Sequence, residues 1–566
     1  MSKLKHWQTE TRITPEADEA LKAFPTVIRQ LLFNRGYATD ETARQFLKAT
    51  VAFDTSPWQL TGMERAITRL EYAILNQEPV VIYGDYDVDG VTATALLVQV
   101  LKSLGTQVRE YIPNRFDEGY GLNNEALDTL KAEGSRVVIT VDCGIRSLDE
   151  AVHARNLNLD LIISDHHHPG EILPDAYAII NPKQPGDAYP DKDLAGVGVA
   201  FKIAEALLER FPNNGFIKDD LLDLVALGTV ADLAPLAGEN RSLVRQGLRQ
   251  LRQTQRQGLF SLAAVTGLDL KNINASNIGF GLGPRLNAAG RLDSALAAFK
   301  LLCSTDIFES GQLAQTLEIQ NRDRQQVTRS MQAQAEKMVL EEDPDAFLLF
   351  AVDPDFNAGV VGLAASRLSD IFYRPAIVAC IGETTTRGSC RSIPEFHITE
   401  ALDQCADLLV RYGGHAAAAG FTVENAKLPE LKKRIKFIAE KQLSGLELHP
   451  LLCADAEISL TELNSRLLEQ LAWFEPTGYG NPEPVFVTRG VRVASSRAVG
   501  SDGKHLKLNV TDGYSHFDAI GFRLGDLQPT LPTYVDLLFT FELNEFNGRK
   551  NFQLNVRDLK SAERPE

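Results

Sequence analysis

The sequence predicts an α/β protein: two αβ units joined by a long helix, followed by an all-β module that reads as a small barrel. Three observations carry this prediction. Short apolar runs alternate with helical patterns from residue 79 to about 237, and again from 347 to about 445, which implies strands covered by helices. Between the two units, residues 306–340 are helical in pattern but polar. Such a helix cannot be a core element and reads as a bridge between domains. After about residue 455, short alternating runs such as HLKLNVTDG and YVDLLFTFELNEFNG are separated by turn residues, the pattern of five or more strands in a small barrel.

Length agrees, because 566 residues exceed what one hydrophobic core can organise and suggest about three or four folding units. Residues 1–78 read as mostly helical, with periodic stretches near 17–32 and 62–76, and 1–60 form the lead-in unit. The first αβ unit then spans 61–240. PVVIYG (79–84), RVVITV (136–141), LDLIIS (159–164) and AYAII (176–180) are its strands, and VTATALLVQVLKSLG (91–105) is a helix ended by Gly105. Residues 241–345 are helical and include the long connection. The second αβ unit covers 346–450, with FLLFAVD and PAIVACIG as strands, and the all-β module covers 455–566.

Composition narrows the function classes. With 44% apolar and 23% charged residues, the chain is globular, and no segment offers the ~18–20 uninterrupted apolar residues of a membrane span. MSKLKHWQTETR at the start has no apolar h-region, so no secretory signal is expected. Six cysteines lack C-x-x-C spacing, which argues against a zinc ribbon and for a reducing compartment, the cytoplasm. A net charge of −17 argues against nucleic acid as a partner. That objection weakens if acidic residues are gathered at a cation site and a basic channel lies inside an acidic shell.

Four stretches carry chemistry. Asp85, Asp87 and Asp89 lie in GDYDVDG directly after an apolar strand, and alternate positions of an extended backbone face one side. Three clustered carboxylates repel and persist most easily beside a cation. Asp142 ends the strand VVITV, and Asp165-His166-His167-His168 follows LDLIIS, where an imidazole can ligate a transition metal. Asp232 interrupts the apolar run ALGTVADLAPL and reads as either a helix cap or a ligand. Strand ends of one sheet edge are where open αβ sheets hold ligands. Mixed oxygen and nitrogen donors suit Mn²⁺ better than Mg²⁺. So many carboxylates suit two divalent ions roughly 3.5–4 Å apart, the arrangement used for phosphodiester cleavage.

D-x-D-x-D-G, a strand-end Asp, D-H-H and a later Asp resemble, in that order, the motifs of the DHH phosphoesterase family. Gly413-Gly414-His415 and the alanines that follow resemble the signature of the DHHA1 domain. GSCRS (388–392) and NPEPVF (481–486) resemble segments of the bacterial RecJ exonuclease branch. The resemblance runs from about 50 to 560. It implies DHH and DHHA1 domains, an OB-like C-terminal barrel, and 5′→3′ hydrolysis of single-stranded DNA to mononucleotides in recombination and repair. It further implies Asp87, Asp89, Asp142, His166 and Asp232 as ligands of two divalent ions, Mn²⁺ or alternatively Mg²⁺, with Asp142 bridging. Asp85 and Asp165 would orient these ligands, and His167 would meet the scissile phosphate. Arg115, Arg285, Ser389 and Arg391 would line the path of the strand and its 5′ phosphate, with Gly413, Gly414 and His415 closing the site from the second domain. Single-stranded DNA with a 5′ end is the partner implied, and a single-strand-binding protein and a helicase are the protein partners that fit. The default is a monomer. Relatives often carry His before the GVVG turn, where this chain has Asn357, so no catalytic role is assigned there.

Two groups stay open on sequence alone. Arg241, Arg245, Arg249, Arg252 and Arg256 share one helical face, either a solvated stripe or a track for a DNA backbone. In the barrel, Arg489, Arg492, Arg497, Lys504, Lys507, Phe522 and Arg523 are either ordinary strand surface or a single-strand grip. Competing functions are a DHH-type phosphodiesterase for short oligonucleotides or cyclic dinucleotides, and a non-catalytic DNA-binding scaffold.

Overall fold

The structure is a computed structural model that describes residues 5–49, 55–114, 121–212, 214–292, 294–500, 502–546 and 549–563. It opens with β1 (His6–Thr9) and three short helices, Pro15–Ala20, Thr26–Asn34 and Asp40–Lys48. The apolar side chains of this lead-in join the C-terminal core rather than that of the domain that follows in sequence, although Arg241 and Ser242 of that domain reach its backbone. Phe24, Ile28, Leu31 and Phe46 bury with Phe474, Phe486, Leu508 and Phe539 of the C-terminal region in one core. Strand β1 runs parallel to a strand from the far end of the chain (Leu451–Ala454), with His6 opposite Leu451.

The first αβ domain holds five strands: β2 (Val80–Gly84), β3 (Val108–Tyr111), β4 (Val137–Val141), β5 (Asp160–Ser164) and β6 (Ala178–Ile180). All pairings are parallel. Every residue of β2 and β4 is buried, as the unbroken apolar runs require of strands covered on both faces. The order is β3-β2-β4-β5-β6, so the winding reverses between β2 and β4. A crevice opens at such a switch point, beyond the carboxyl ends of the strands. Strand β3 lacks a clear apolar run and was not legible in sequence.

Helices α1 (Val88–Ser103), α2 (Gly196–Arg210), α3 (Leu222–Ala231), α4 (Gly238–Leu251) and α5 (Gly283–Leu292) cover and extend this domain. The helix expected over 91–105 begins three residues earlier, because Asp87 caps it by accepting the Asp89 and Gly90 amides at 2.9 and 3.2 Å.

The polar connection is a single helix, α6 (Ile307–Glu342), roughly 54 Å long at 1.5 Å per residue. It bridges the two domains, and each end also enters a core. Ala314 and Leu317 join the first domain's core, whereas Met331, Ala335 and Val339 join that of the second. Two or three apolar residues at helical spacing suffice for each anchor, so the expectation that α6 takes no part in a core holds only for its middle.

The second αβ domain pairs β7 (Leu349–Asp353), β8 (Ala376–Ile381), β9 (Thr385–Arg391), β10 (Leu409–His415) and β11 (Ala418–Glu424) in the order β10-β11-β9-β8-β7. Helix α7 (Val361–Phe372) packs on β8 and β9, and α8 (Leu428–Leu443) ends the domain. After it come β12 (Leu451–Ala454), β13 (Ala456–Glu457) and a barrel of β14 (Phe486–Val499), β15 (His505–Thr511), β16 (His516–Gly521), β17 (Tyr534–Phe546) and β18 (Arg549–Ser561). The barrel closes because β14 pairs with both β15 and β17, leaving few free edges. Among the described residues no helix is long and apolar enough to cross a membrane, and the six cysteines form no disulfide.

Candidate metal centre

Register sets the first part of the site. Gly84 lies beside Val141, Val141 beside Ser164, and Ser164 beside Ile180. The next residues are Asp85, Asp142 and Asp165. Their amides donate to Val141 O, Ser164 O and Ile180 O at 3.3, 3.1 and 3.1 Å. Three carboxylates therefore leave three neighbouring strands at the same level, at the switch point. Asp142 takes φ +62°, a left-handed conformation that costs a non-glycine residue energy and that Asp and Asn tolerate best.

The local reading of GDYDVDG needs correction. Asp85, Asp87 and Asp89 do not alternate along an extended backbone, since Asp87 is a helix cap and Asp89 lies in the first turn of α1. They separate into two ligand sets. One ligand atom each from Asp85, Asp87 and Asp142 lie within 4.8 Å of one another, and the same holds for Asp89, His166 and Asp232. Asp142 connects the sets, because its Oδ1 stands 3.0 Å from His166 Nε2. Asp232 reaches the cluster from the C-terminal cap of α3, not from a strand.

Supporting contacts hold these side chains. Asp89 accepts the Gly196 and Val197 amides at 2.7 and 2.8 Å, at the N-terminus of α2, where the helix dipole favours an anion. Asp165 accepts the amides of Ile145, His166 and His167 at 3.0, 2.7 and 3.1 Å and binds His167 Nδ1 at 2.8 Å. It thus organises the D-H-H turn. Asn287 of α5 accepts the Val88 amide at 3.2 Å. A Cβ on Gly290 would meet Tyr86 O at 2.5 Å, so that glycine lets α5 press against the acidic loop.

Electrostatics identify what the cluster suits. Burial, then the charge of Asp89 and the other carboxylates, holds Asp142 well above the usual carboxylate range. Burial and Asp87 push Asp89 up to about 7 against the pull of the Val197 and Gly196 amides. Burial and the charges of Asp89 and Asp87 push Asp232 up to about 9. Burial, then the charge on His167, drives His166 down to about 3. His166 is thus a neutral imidazole, and its 3.0 Å approach to Asp142 is not an ion pair. Asp142 Oδ1 and His166 Nε2 are both buried and make no hydrogen bond. A carboxyl oxygen and a ring nitrogen in contact, both buried without a hydrogen bond, fit ligation of a common cation, whose charge would relieve the repulsion that raises the carboxyl. His167 differs. Burial opposes its protonation, but the Asp165 hydrogen bond and the charges of Asp165, Asp232 and Asp89 push it up to about 9, leaving a half-exposed cation beside the acidic cluster.

The remaining candidates lie elsewhere. Arg115 lies outside the described residues. Arg285 sits on α5, paired with Glu318 of α6 at 2.6 Å and bonded to Gly281 O at 2.8 Å. Ser389 and Arg391 are on β9, bonded to each other at 3.2 Å, and both face the start of α7. A Cβ on Gly362 would lie 3.0 Å from Ser389 Oγ and 3.2 Å from the Arg391 guanidinium. A hydroxyl, a guanidinium and a helix N-terminus are the kinds of donor that suit an anion. Arg291 of α5 donates to Gly359 O at 3.3 Å, so the helix that supports the acidic loop also braces the turn before α7. Asn357 belongs to that turn, accepting the Gly359 amide at 2.8 Å. Gly413, Gly414 and His415 are exposed on the β10–β11 hairpin. Gly414 has φ +150°, and a Cβ there would meet Ala418 O at 2.3 Å. The hairpin's own backbone accounts for that glycine.

Most of the arginine stripe is spent on contacts inside the protein rather than left free for a DNA backbone. Buried Arg241 donates to the carbonyls of Phe46, Trp473, Phe474, Glu475 and Pro476 at 2.9–3.2 Å. Arg245 bonds Leu47 O, Arg252 bonds Ile273 O, and Arg256 pairs with buried Asp223 at 2.9 Å. Arg249 and Arg252 are the exposed members of the five, and Arg252 spends its guanidinium on Ile273 O. Periodicity reveals a shared helix face, but not that irregular segments distant in sequence cover it. Arg241→Ala is expected to destabilise the protein by about 3–5 kcal/mol, since it strips several buried carbonyls of a charged donor. A thermal midpoint within a degree of the parent's would contradict this. In the barrel, Arg489 pairs with Asp536, Lys507 with Asp518 and Lys504 with Asp502, and Arg492, Arg497, Phe522 and Arg523 are exposed.

A cleft of about 980 Å³ runs from the end of α3 to the barrel, lined by Leu233, Phe280, Asn287, Arg291, Arg324 and Tyr479 among others. Sequence reading missed this lining, the Gly196 cradle and the α5 support. The Gly-x-Gly at the start of α2 was the one available signal.

Known proteins match this architecture. Family models match at residues 79–229 (DHH family, N-terminal domain), 345–441 (DHHA1 domain) and 454–558 (RecJ OB domain). The single-stranded-DNA-specific exonuclease RecJ of Bacillus subtilis is 40% identical over 541 residues, 95% of this chain and 68% of that protein. Its Escherichia coli counterpart is 36% identical over 577 residues, 98% of this chain and 99% of that protein. A crystal structure of RecJ in complex with Mn²⁺ from Thermus thermophilus superposes with a TM-score of 0.85 at 30% identity, covering 99% of this chain and 80% of the other. With its acidic cluster at the switch point, its second αβ domain and its closed barrel, the chain belongs to the RecJ family of DHH phosphoesterases.

Proposed function

We propose that this chain is a metal-dependent exonuclease that degrades single-stranded DNA from its 5′ end to mononucleotides, in DNA recombination and repair. The observation that carries the reading is the meeting of four separated stretches around Asp142, with its unpartnered oxygen against an unpartnered imidazole nitrogen. Relatives named single-stranded-DNA-specific exonucleases support the substrate class. Structures of relatives with Mn²⁺ and with Mg²⁺ support a divalent cation.

Asp85, Asp87 and Asp142 would hold one cation, and Asp89, His166 and Asp232 a second, with Asp142 common to both. Mixed oxygen and nitrogen donors favour Mn²⁺. Divalent cations bound there supply Lewis acidity, which activates water and neutralises charge developing on the phosphoryl group. The protein's own share is positional. The α2 amides and Asp165 fix the ligands, and protonated His167 offers a hydrogen bond to a phosphoryl oxygen as its charge grows. Polarity of digestion follows from the anion pocket of Ser389, Arg391 and the α7 N-terminus, which would hold a terminal 5′ phosphate. Exposed Phe280 and Tyr479 along the cleft offer faces on which bases stack without sequence preference.

The test is product analysis with a 5′-phosphorylated single strand, its duplex and a dinucleotide, with Mn²⁺ or with chelator. Mononucleotides released from the long strand only with metal support the reading. Cleavage confined to the dinucleotide, or binding without turnover, overturns it. Arg391→Ala is expected to raise KM for the 5′-phosphorylated strand by about 10–100-fold, the worth of one charge-assisted hydrogen bond. A strand with a 5′ hydroxyl should be unaffected. An equal effect on both strands would remove the phosphate pocket from the scheme.

A further inference from the structure

We propose that His6, Glu447 and His449 form a second metal site, for a borderline divalent cation of the Zn²⁺ class, that clips the N-terminal strand to the segment leaving the second αβ domain. One ligand atom from each lies within 4.8 Å of the others, far in sequence from every group of the catalytic centre. The backbone creates the meeting. Strand β1 pairs with β12 so that His6 stands opposite Leu451, and the His6 amide donates to Pro450 O at 3.0 Å. Residues 447–449 lie between the end of α8 and the start of β12.

The two imidazoles lie against each other at the surface, not in a core. Their centroids are 5.2 Å apart with planes tilted by 55°, and His6 and Glu447 face solvent. His449 Nδ1 is buried and has no hydrogen-bond partner. A buried ring nitrogen beside a second imidazole and a carboxylate is a donor in search of an acceptor or a lone pair in search of a cation. Two nitrogens and one oxygen, with a fourth position open to water, match the His₂Glu set that binds Zn²⁺ tetrahedrally. Tetrahedral donors at 2.0–2.1 Å stand about 3.3 Å apart, so the exposed side chains of His6 and Glu447 need only rotate inward. The donor set also differs from the carboxylate-rich catalytic centre, which separates the two sites by metal preference.

Occupancy would have a mechanical result. Next to His6, Trp7 Nε1 donates to Asp558 of β18 at 2.8 Å, so β1 is already tied to the barrel. A cation on His6, Glu447 and His449 would tie the same strand to the exit of the second αβ domain and stiffen the connection between that domain and the barrel.

Calorimetric titration with ZnCl₂ tests this on the full chain, with Mg²⁺ in large excess. Zn²⁺ that enters the catalytic centre adds equally to every protein, so the difference between proteins is what is read. The parent should bind one more equivalent than His6→Ala or His449→Ala, and Glu447→Gln should weaken that equivalent by about 10-fold or more. Zn²⁺ should raise the unfolding temperature of the parent above that of the His variants. His6 is exposed, so His6→Ala keeps the fold and carries the test if His449→Ala does not. Equal stoichiometry in the parent and His6→Ala overturns the proposal.

Discussion

Asp142→Asn is expected to lower Mn²⁺-dependent release of nucleotides by about 10³-fold or more, a loss at least that of deleting one transition-state contact, in a protein that is no less stable than its parent. Each half follows from the position of the carboxylate. Its Oδ1 touches His166 Nε2 and it shares a ligand set with Asp85 and Asp87, so it links the two sets. The amide keeps the size of the side chain and tolerates the φ of +62°, which alanine does less well. Removing the charge relieves repulsion. The Asp142 pKa is raised in the fold, so ionisation is easier in the unfolded chain. Above the folded pKa the ionised group opposes folding, and below the unfolded pKa the contribution vanishes. At neutral pH, with chelator present, the variant should therefore unfold at the same temperature or higher. Activity within tenfold of the parent would remove Asp142 from the centre. Lost activity together with a lowered unfolding temperature would make its role structural.

Gly196→Ala should also lower Mn²⁺-dependent release, by weakening the site without altering any ligand. A Cβ there would lie 2.8 Å from Asp142 Cβ and 2.9 Å from Asp89 Oδ2. Neither neighbour can yield cheaply, because Asp142 is fixed by its strand-end hydrogen bond and Asp89 by the two α2 amides. The helix must retreat, and Asp89 then loses the dipole and donors that hold it. Mn²⁺ affinity is expected to fall about 10–100-fold, the usual cost of disturbing a ligand's support, with about 1–3 kcal/mol of stability lost to overpacking. Raising Mn²⁺ should restore part of the rate, which distinguishes this variant from Asp142→Asn. Unchanged Mn²⁺ affinity would show that the cradle is dispensable.

The strands and their terminal acids were legible because a covered parallel sheet writes them as unbroken apolar runs, each followed by a polar residue. VVITV followed by Asp142 and DLIIS followed by Asp165 are such cases. Asp89 was legible as a ligand but not in its geometry. Its conformation depends on the cap at Asp87, and its partners are 107 and 108 residues away. The arginines of α4 misled for a related reason. Their spacing specifies a face, whereas their partners are carbonyls of residues 46–47 and 473–476, in segments 195 or more residues away that no local pattern ties to it. Fold class could be read locally. The supports of the site could not, because each is a contact between elements.

The joint burial of the lead-in helices with the barrel constrains the order of assembly. Phe46 and Phe539 belong to one core, so the first helices lack the main part of that core until the barrel has been synthesised. At ~5–20 residues per second, that wait is on the order of 25–100 s. Throughout it, Ile28, Leu31 and Phe46 remain open to wrong associations, while the first αβ domain can already close. Nascent chains halted before the barrel should therefore carry a folded acidic domain behind an unprotected, protease-sensitive amino terminus.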